Sequence, residues 1–131
     1  MRRSVTIMLI VLFVSLSGAA GRAMAQTATG QITGAVKDAS GALVARAKVK
    51  VASASTGLTR ETATNDEGVY VFPLLPVGVY AVTVEQQGFR AAKKSNISIN
   101  VDQIIRADFD LTVGELNAIV EVQSTAVALD T

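Results

Sequence analysis

Between Gly30 and Val113, apolar residues recur at every second position in short runs, and glycine, asparagine, aspartate or serine closes most of them. A period of two is that of a strand with one buried face, because successive side chains leave a pleated backbone on opposite sides. The first run, Gly30 to Lys37, sets Ile32 and Val36 on one face, with Thr33 and Lys37 outside or at the edge. Asp38-Ala39-Ser40-Gly41 then turns the chain. Around Ala45 to Ala54, Ala47, Val49 and Val51 alternate with Lys48 and Lys50, so the lysines face water. Ser55-Thr56-Gly57 leads into Leu58 to Thr64, whose charges suit a sheet edge because they discourage pairing with another sheet.

The stretch Thr64 to Phe89 carries the sharpest pattern. Asn65, Asp66, Glu67 and Gly68 supply a turn, the short polar side chains bonding their own backbone and glycine taking a positive φ. Tyr70 and Phe72 share a face of the next strand, and Tyr80, Val82 and Val84 share a face of the one after it. Between them Leu74, Leu75, Pro76, Val77 and Gly78 read as a short apolar connection, in which Pro76 removes a ladder donor and Gly78 relieves the bend. Gly88-Phe89 ends the fifth strand, and Arg90 to Ser95 reads as a basic connection or short extended segment. Ile97, Ile99 and Val101 share a face in a sixth strand. A seventh, Gln103 to Val113, buries Ile105, Ala107, Phe109 and Leu111 and leaves Arg106, Asp108 and Asp110 outside. Seven short strands at this spacing predict an all-β antiparallel sandwich.

The order of these residues resembles the carboxypeptidase regulatory-like domain, a transthyretin-like (prealbumin-like, Greek-key) β-sandwich. The resemblance rests on Thr64, Asp66, Gly68 displaced by one position, Tyr70, Phe72, Leu75, Gly78, Tyr80, Val82, Val84, Gly88 and Phe89. It is extended upstream by Gly34, Val36, Asp38, Gly41, Ala47, Val49, Val51 and Thr56-Gly57. It covers about residues 29 to 113, and its motifs are structural rather than catalytic.

Residues 1–25 stand apart from this fold. Arg2 and Arg3 form a basic start, Val5 to Leu16 an apolar run, and Ala23-Met24-Ala25 a small-x-small site before Gln26. That is the layout of an export signal cleaved between Ala25 and Gln26. Its apolar run is shorter than the roughly 20 residues of a membrane-spanning helix. Of the 12 Lys and Arg residues, Arg2, Arg3 and Arg22 fall in this segment, which leaves nine against 11 acids in the rest. Such a balance offers no footprint for nucleic acid, whose binding rests on several cations facing phosphates. Only Arg90, Lys93 and Lys94 cluster, and they read as a solvated strand end.

The chain contains no histidine and no cysteine. It therefore lacks the usual general base near neutral pH, both triad chemistries and a thiolate metal site, and no disulfide is available to an exported domain. Asp66 with Glu67 reads as turn chemistry, and Asp108 with Asp110 as the solvated face of a strand. The aromatic residues Tyr70, Phe72, Tyr80, Phe89 and Phe109 share parity with valines and leucines, which makes them core rather than stacking platforms. No catalysis, cofactor or metal is expected.

The tail, Gly114 to Thr131, breaks the pattern: Gly114-Glu115-Leu116-Asn117 marks a boundary and Ala118 to Val122 is a short β-prone run. It resembles the junction, in TonB-dependent outer-membrane receptors, between this domain and the plug and barrel that follow. By that resemblance 26–113 is the domain and 114–131 a linker or the start of a plug region. Ile119, Val120, Glu121 and Val122 then correspond to an energy-coupling contact. The resemblance implies a non-catalytic periplasmic module at the front of such a receptor, in the periplasm or outer membrane of a Gram-negative bacterium. Its partners would be a TonB-type coupling protein or the downstream plug and barrel. The alternative is a free secreted or surface domain that binds a glycan or a protein through Asp38–Gly41, Ser55–Gly57 and Gly88–Lys94.

Overall fold

The computed structural model describes residues 25–115, 117–122 and 127–129. Among them ten strands form two sheets: β1 (Thr29–Asp38), β2 (Lys48–Ser53), β3 (Thr59–Ala63), β4 (Val69–Pro76), β5 (Gly78–Glu85), β6 (Ala91–Ile99), β7 (Ile104–Arg106), β8 (Phe109–Leu111), β9 (Ile119–Glu121) and β10 (Val127–Leu129). One sheet runs β10-β7-β1-β4, with β8 also paired to β1, and the other runs β3-β2-β5-β6-β9. The alternating residues meet between the sheets. Ile32, Val36, Tyr70, Phe72, Leu75, Phe109 and Leu111 of the first pack on Val49, Val51, Tyr80, Val82, Val84, Ile97 and Ile99 of the second. Full burial of each such side chain contributes roughly 1.5–3 kcal/mol. The all-β sandwich expected from the alternation is the architecture found.

Its turns are built by the residues that predict them. The Asp38 carboxylate accepts from the Ser40 N–H (2.9 Å), the Ser40 hydroxyl (2.6 Å) and the Ala42 N–H (3.0 Å), and these bonds, the Ser40 hydroxyl first, hold its pKa below the usual carboxylate value. At the second turn Asn65 Oδ1 accepts from the Glu67 and Val69 N–H groups at 3.0 and 2.9 Å, and Gly68 takes φ +71°. Asn65 is thus the side chain that closes this turn, one place before the aspartate of the resemblance. Thr64 is buried because its hydroxyl serves two backbone groups, donating to Val44 O (2.7 Å) and accepting from Ala47 N–H (2.8 Å).

The expected connection from Leu74 to Gly78 is almost all strand. Leu74, Leu75 and Pro76 belong to β4 and Gly78 opens β5, so only Val77 lies between them. A bulge accounts for this: Ile32 faces Phe72 but Gly30 faces Leu75, leaving an extra residue in β4 where Leu74 takes φ +53°. The parity shift turns Leu75 into the core. Of the two readings of Arg90 to Ser95, the extended one is found, since β6 begins at Ala91. A second bulge sits there, with Asn96 at φ +59° and the register to β5 stepping from Val82↔Lys94 to Tyr80↔Ile97. Val101, expected on the inner face with Ile97 and Ile99, lies past the end of β6 and is exposed.

The expected seventh strand is two. β7 and β8 both run alongside β1, at Gln31–Thr33 and at Val36–Asp38, and Ala107 and Asp108 interrupt the ladder. Ala107 N–H donates to Thr33 O at 2.8 Å, and Asp108 takes over the next bond by accepting Ala35 N–H on Oδ1 at 2.8 Å. Gly34 makes this close approach possible, because a Cβ there would collide with the Ala107 carbonyl. Both pairings are parallel, as is β6 with β9, so the sandwich is mixed rather than wholly antiparallel. Parallel neighbours need a long crossover, and the whole of β2–β6 separates β1 from β7.

Candidate interaction surface

The residues expected to make an energy-coupling contact lie at the edge of the second sheet. Ile119–Glu121 forms β9, in register Ala91↔Ile119, Ala92↔Val120 and Lys93↔Glu121 with β6. Val122 follows the strand, and its N–H donates to Lys93 O at 2.9 Å. One side-chain bond, from the Ser95 hydroxyl to Glu121 Oε1 at 3.0 Å, adds to this. All three β9 side chains are exposed, Ile119 by 66%. The strand is therefore attached through backbone bonds with little apolar burial to hold it. β10 pairs with β7, so the chain beyond Val113 reaches an edge of each sheet. At the opposite side the outer strands are β3 and β4, joined where the Arg60 guanidinium donates to Pro73 O (2.8 Å) and Leu74 O (3.2 Å).

Ala25 and Gln26, the expected cleavage junction, are exposed and precede β1 outside any strand. Residues 1–24, which carry the rest of the expected signal, lie outside the described residues. Asp66 and Glu67 are exposed in their turn. Asp108 and Asp110 have different roles. Asp110 faces solvent, while Asp108, expected to be simply solvated, binds Ala35 N–H and pairs with Arg106 Nε at 2.9 Å. Tyr70, Phe72, Tyr80 and Phe109 are buried and Phe89 is packed against the core, so none offers an open stacking face.

The basic trio does not form one solvated end. Arg90 is exposed, Lys93 is half-buried, and Lys94 is only 5% exposed, with its ammonium donating to Asp108 O and lying 5.2 Å from the Phe109 ring centroid. The Asn96 bulge is the cause, since it shifts the inward parity of β6 onto Ala92 and Lys94. A carbonyl acceptor and an aromatic face are what a buried ammonium requires in place of water. Asparagine tolerates the left-handed region better than most residues, so Lys93-Lys94-Ser95-Asn96 held a signal for the bulge.

Among the described residues no three His, Cys, Asp or Glu side chains come together as a metal site. The two phenols are structural. Tyr70 Oη donates to Ala107 O at 2.5 Å, and burial, reinforced by the Asp108 charge, raises its pKa far above the ordinary value. Tyr80 Oη donates to Pro76 O at 2.6 Å, and its pKa is raised by desolvation against an opposing pull from Arg60.

A mixed sandwich with Tyr70, Phe72, Tyr80 and Phe109 in its core defines a β-sandwich module. The chain belongs to the carboxypeptidase regulatory-like domain family, which it matches over residues 31–112. No curated protein matches the sequence. Among solved structures the chain is similar to a candidate carbohydrate-binding protein from Bacteroides uniformis, with 19% identity, a TM-score of 0.52, and 64% of this chain and 41% of that chain covered. It is also similar to catechol 1,2-dioxygenase from Pseudomonas arvilla, with 13% identity, a TM-score of 0.54 and 73% and 56% covered. The same enzyme from Acinetobacter radioresistens gives 14%, 0.53, and 76% and 56%. The chain spans about half the length of these structures, and the likeness is one of fold.

Proposed function

We propose that this domain is a non-catalytic module at the front of a TonB-dependent outer-membrane receptor, exported to the periplasm, and that Ile119–Val122 is its contact for a periplasmic coupling protein. One observation carries the reading. Directly after the family domain the chain presents a short β-prone segment at a sheet edge, held by its backbone with its side chains exposed. A segment so attached leaves its edge at little cost and offers its own ladder to a partner's sheet. The apolar run and small-residue site ahead of Gln26 support the export this requires.

The test is deletion of Ala118–Val122 from the receptor in its native gene. Uptake is expected to be lost while the amount of receptor at the cell surface stays unchanged. Normal uptake by the deleted receptor overturns the coupling role.

A second reading, a glycan-binding domain, is supported by the likeness in fold to the Bacteroides uniformis protein and by a groove beside β1. Saturable binding of a glycan by the exported chain is its test, and no binding by any neutral glycan removes it.

A further inference from the structure

At one end of the first sheet, a groove of about 210 Å³ lies between the β4 bulge and the turn that joins β6 to β7. Thr29, Gly30 and Gln31 of β1, central between β4 and β7, line its middle, Pro73 and Leu74 one side, and Asp102, Gln103 and Ile104 the other. The volume is below the roughly 300–1,000 Å³ of sites for drug-sized ligands, so it suits one small ring or one unit of a longer chain.

Two walls of this groove carry unusual backbone. Among the described non-glycine residues four have positive φ, Arg46, Leu74, Asn96 and Asp102, and two of these border this one groove. A bulky leucine at φ +53° is rare, because its Cβ crowds the backbone. Leu74 gains no burial in exchange, being 69% exposed. Its backbone is fixed instead by Arg60, whose guanidinium holds the Pro73 and Leu74 carbonyls. The facing turn is fixed too. Asp102 N–H donates to Thr29 O (2.9 Å), Gln31 N–H donates to Gln103 O (2.8 Å), and Gln103 Oε1 accepts from Asn100 N–H and Nδ2 at 3.1 Å each. Gly30 lets β1 lie this close, since a Cβ there would meet Ile99 and the Asn100 and Gln103 carbonyls. A strained leucine held by its surroundings beside a cleft points to a ligand.

The chemistry of the walls selects its class. An apolar side, Pro73 and Leu74, faces one where Asp102 and Gln103 stand beside Ile104; among the described residues the Gln103 amide nitrogen donates to no partner and the Asp102 carboxylate makes no ion pair. Among the described residues no cation lines the groove itself, and the Arg60 guanidinium behind one wall is taken up by the Pro73 and Leu74 carbonyls, so the walls offer an anion no direct partner. A pyranose has this division, with C–H groups on one face and hydroxyls round its edge. We propose that the groove binds a neutral hexopyranose, with Leu74 under its C–H face and Asp102 and Gln103 on its hydroxyls. This rests on the glycan-binding reading above and adds the place and the charge of the ligand.

The experiment is titration of the purified ¹⁵N-labelled chain with methyl β-D-glucopyranoside, methyl β-D-galactopyranoside and methyl α-D-mannopyranoside, with glucuronate and methylguanidinium as charged probes. At least one pyranoside is expected to shift the Thr29–Gln31, Leu74 and Asp102–Ile104 amides saturably, and glucuronate less tightly. Leu74→Gly keeps the bulge because glycine accepts its φ, and is expected to weaken that binding at least about fivefold while the chain stays folded, a loss of about 1 kcal/mol at about 1.4 kcal/mol per tenfold. Asp102→Asn tolerates the same φ and tests the carboxylate in the same way. Saturable shifts confined to Asp38–Gly41 or Ser55–Gly57 overturn the groove and leave the glycan reading standing. No saturable shift overturns both. Methylguanidinium binding tighter than every pyranoside, or groove binding that Leu74→Gly leaves intact, also overturns the proposal.

Discussion

The Lys94 ammonium donates to the Asp108 carbonyl oxygen, joining β6 of one sheet to the β7–β8 junction of the other through the interior. The Phe109 ring beside it completes the cation's surroundings. Lys94→Ala removes the buried stem, the ammonium and the partner of that carbonyl together. Leaving a buried acceptor unpaired costs about 1–3 kcal/mol, and denaturant unfolding of the variant should show at least this loss. Unchanged stability would mean the ammonium does not bridge the sheets.

Tyr70 ties the same junction from the other side through Ala107 O, and it gives the domain an alkaline limit. Its folded pKa lies far above the value of about 10 that it regains on unfolding. Its contribution is therefore whole below pH 10. Above pH 10 the unfolded chain releases this proton while the folded domain keeps it, so stability falls with rising pH, by about 1.4 kcal/mol per unit from this group. Tyr70→Phe should remove this part of the slope while losing about 1–3 kcal/mol near neutral pH for the unpaired carbonyl. Urea titrations of both proteins from pH 7 to 11 measure the two effects.

Phe72 and Tyr80 sit in opposing sheets with under a twentieth of their surface exposed. Truncating either to alanine should cost roughly 3–5 kcal/mol through lost contacts and a cavity. Thermal melting checks it, and unchanged melting for both variants would sink the assigned core.

β9 should behave unlike the strand two places away from it. Its exposed side chains and short ladder predict exchange through local opening, whereas β5, central in its sheet, opens only with the whole domain. The Val122 amide should exchange at least about 1,000-fold faster than the amides of Val82 and Val84. Equal protection would show a firmly integrated strand and count against its transfer to a partner.

The inner residues of most strands could be read from alternation, because a half-buried strand admits no other period. Asp38 and Asn65 announced their turns for a similar reason, as each side chain bonds the backbone just ahead of it. The bulges at Leu74 and Asn96 were hidden, since one extra residue inverts every later side chain while the local composition stays β-prone. That is why alternation alone puts Leu75 in a connection and Lys94 in solvent. Direction was hidden too: alternation looks the same in parallel and antiparallel ladders, so the pairing of β7 and β8 with β1 waited on the tertiary structure. At the candidate contact, the β-prone character of Ile119–Val122 was legible, and its docking on β6 was not, because only three residue pairs define it.

The intact mass of the native polypeptide in fractionated cell envelopes, detected with an antibody to residues 26–113, tests the receptor reading most directly. The expected product continues far beyond Thr131 and sediments with the outer membrane. A soluble product of about 106 residues, the 131 of the sequence less the 25 of the leader, would contradict it.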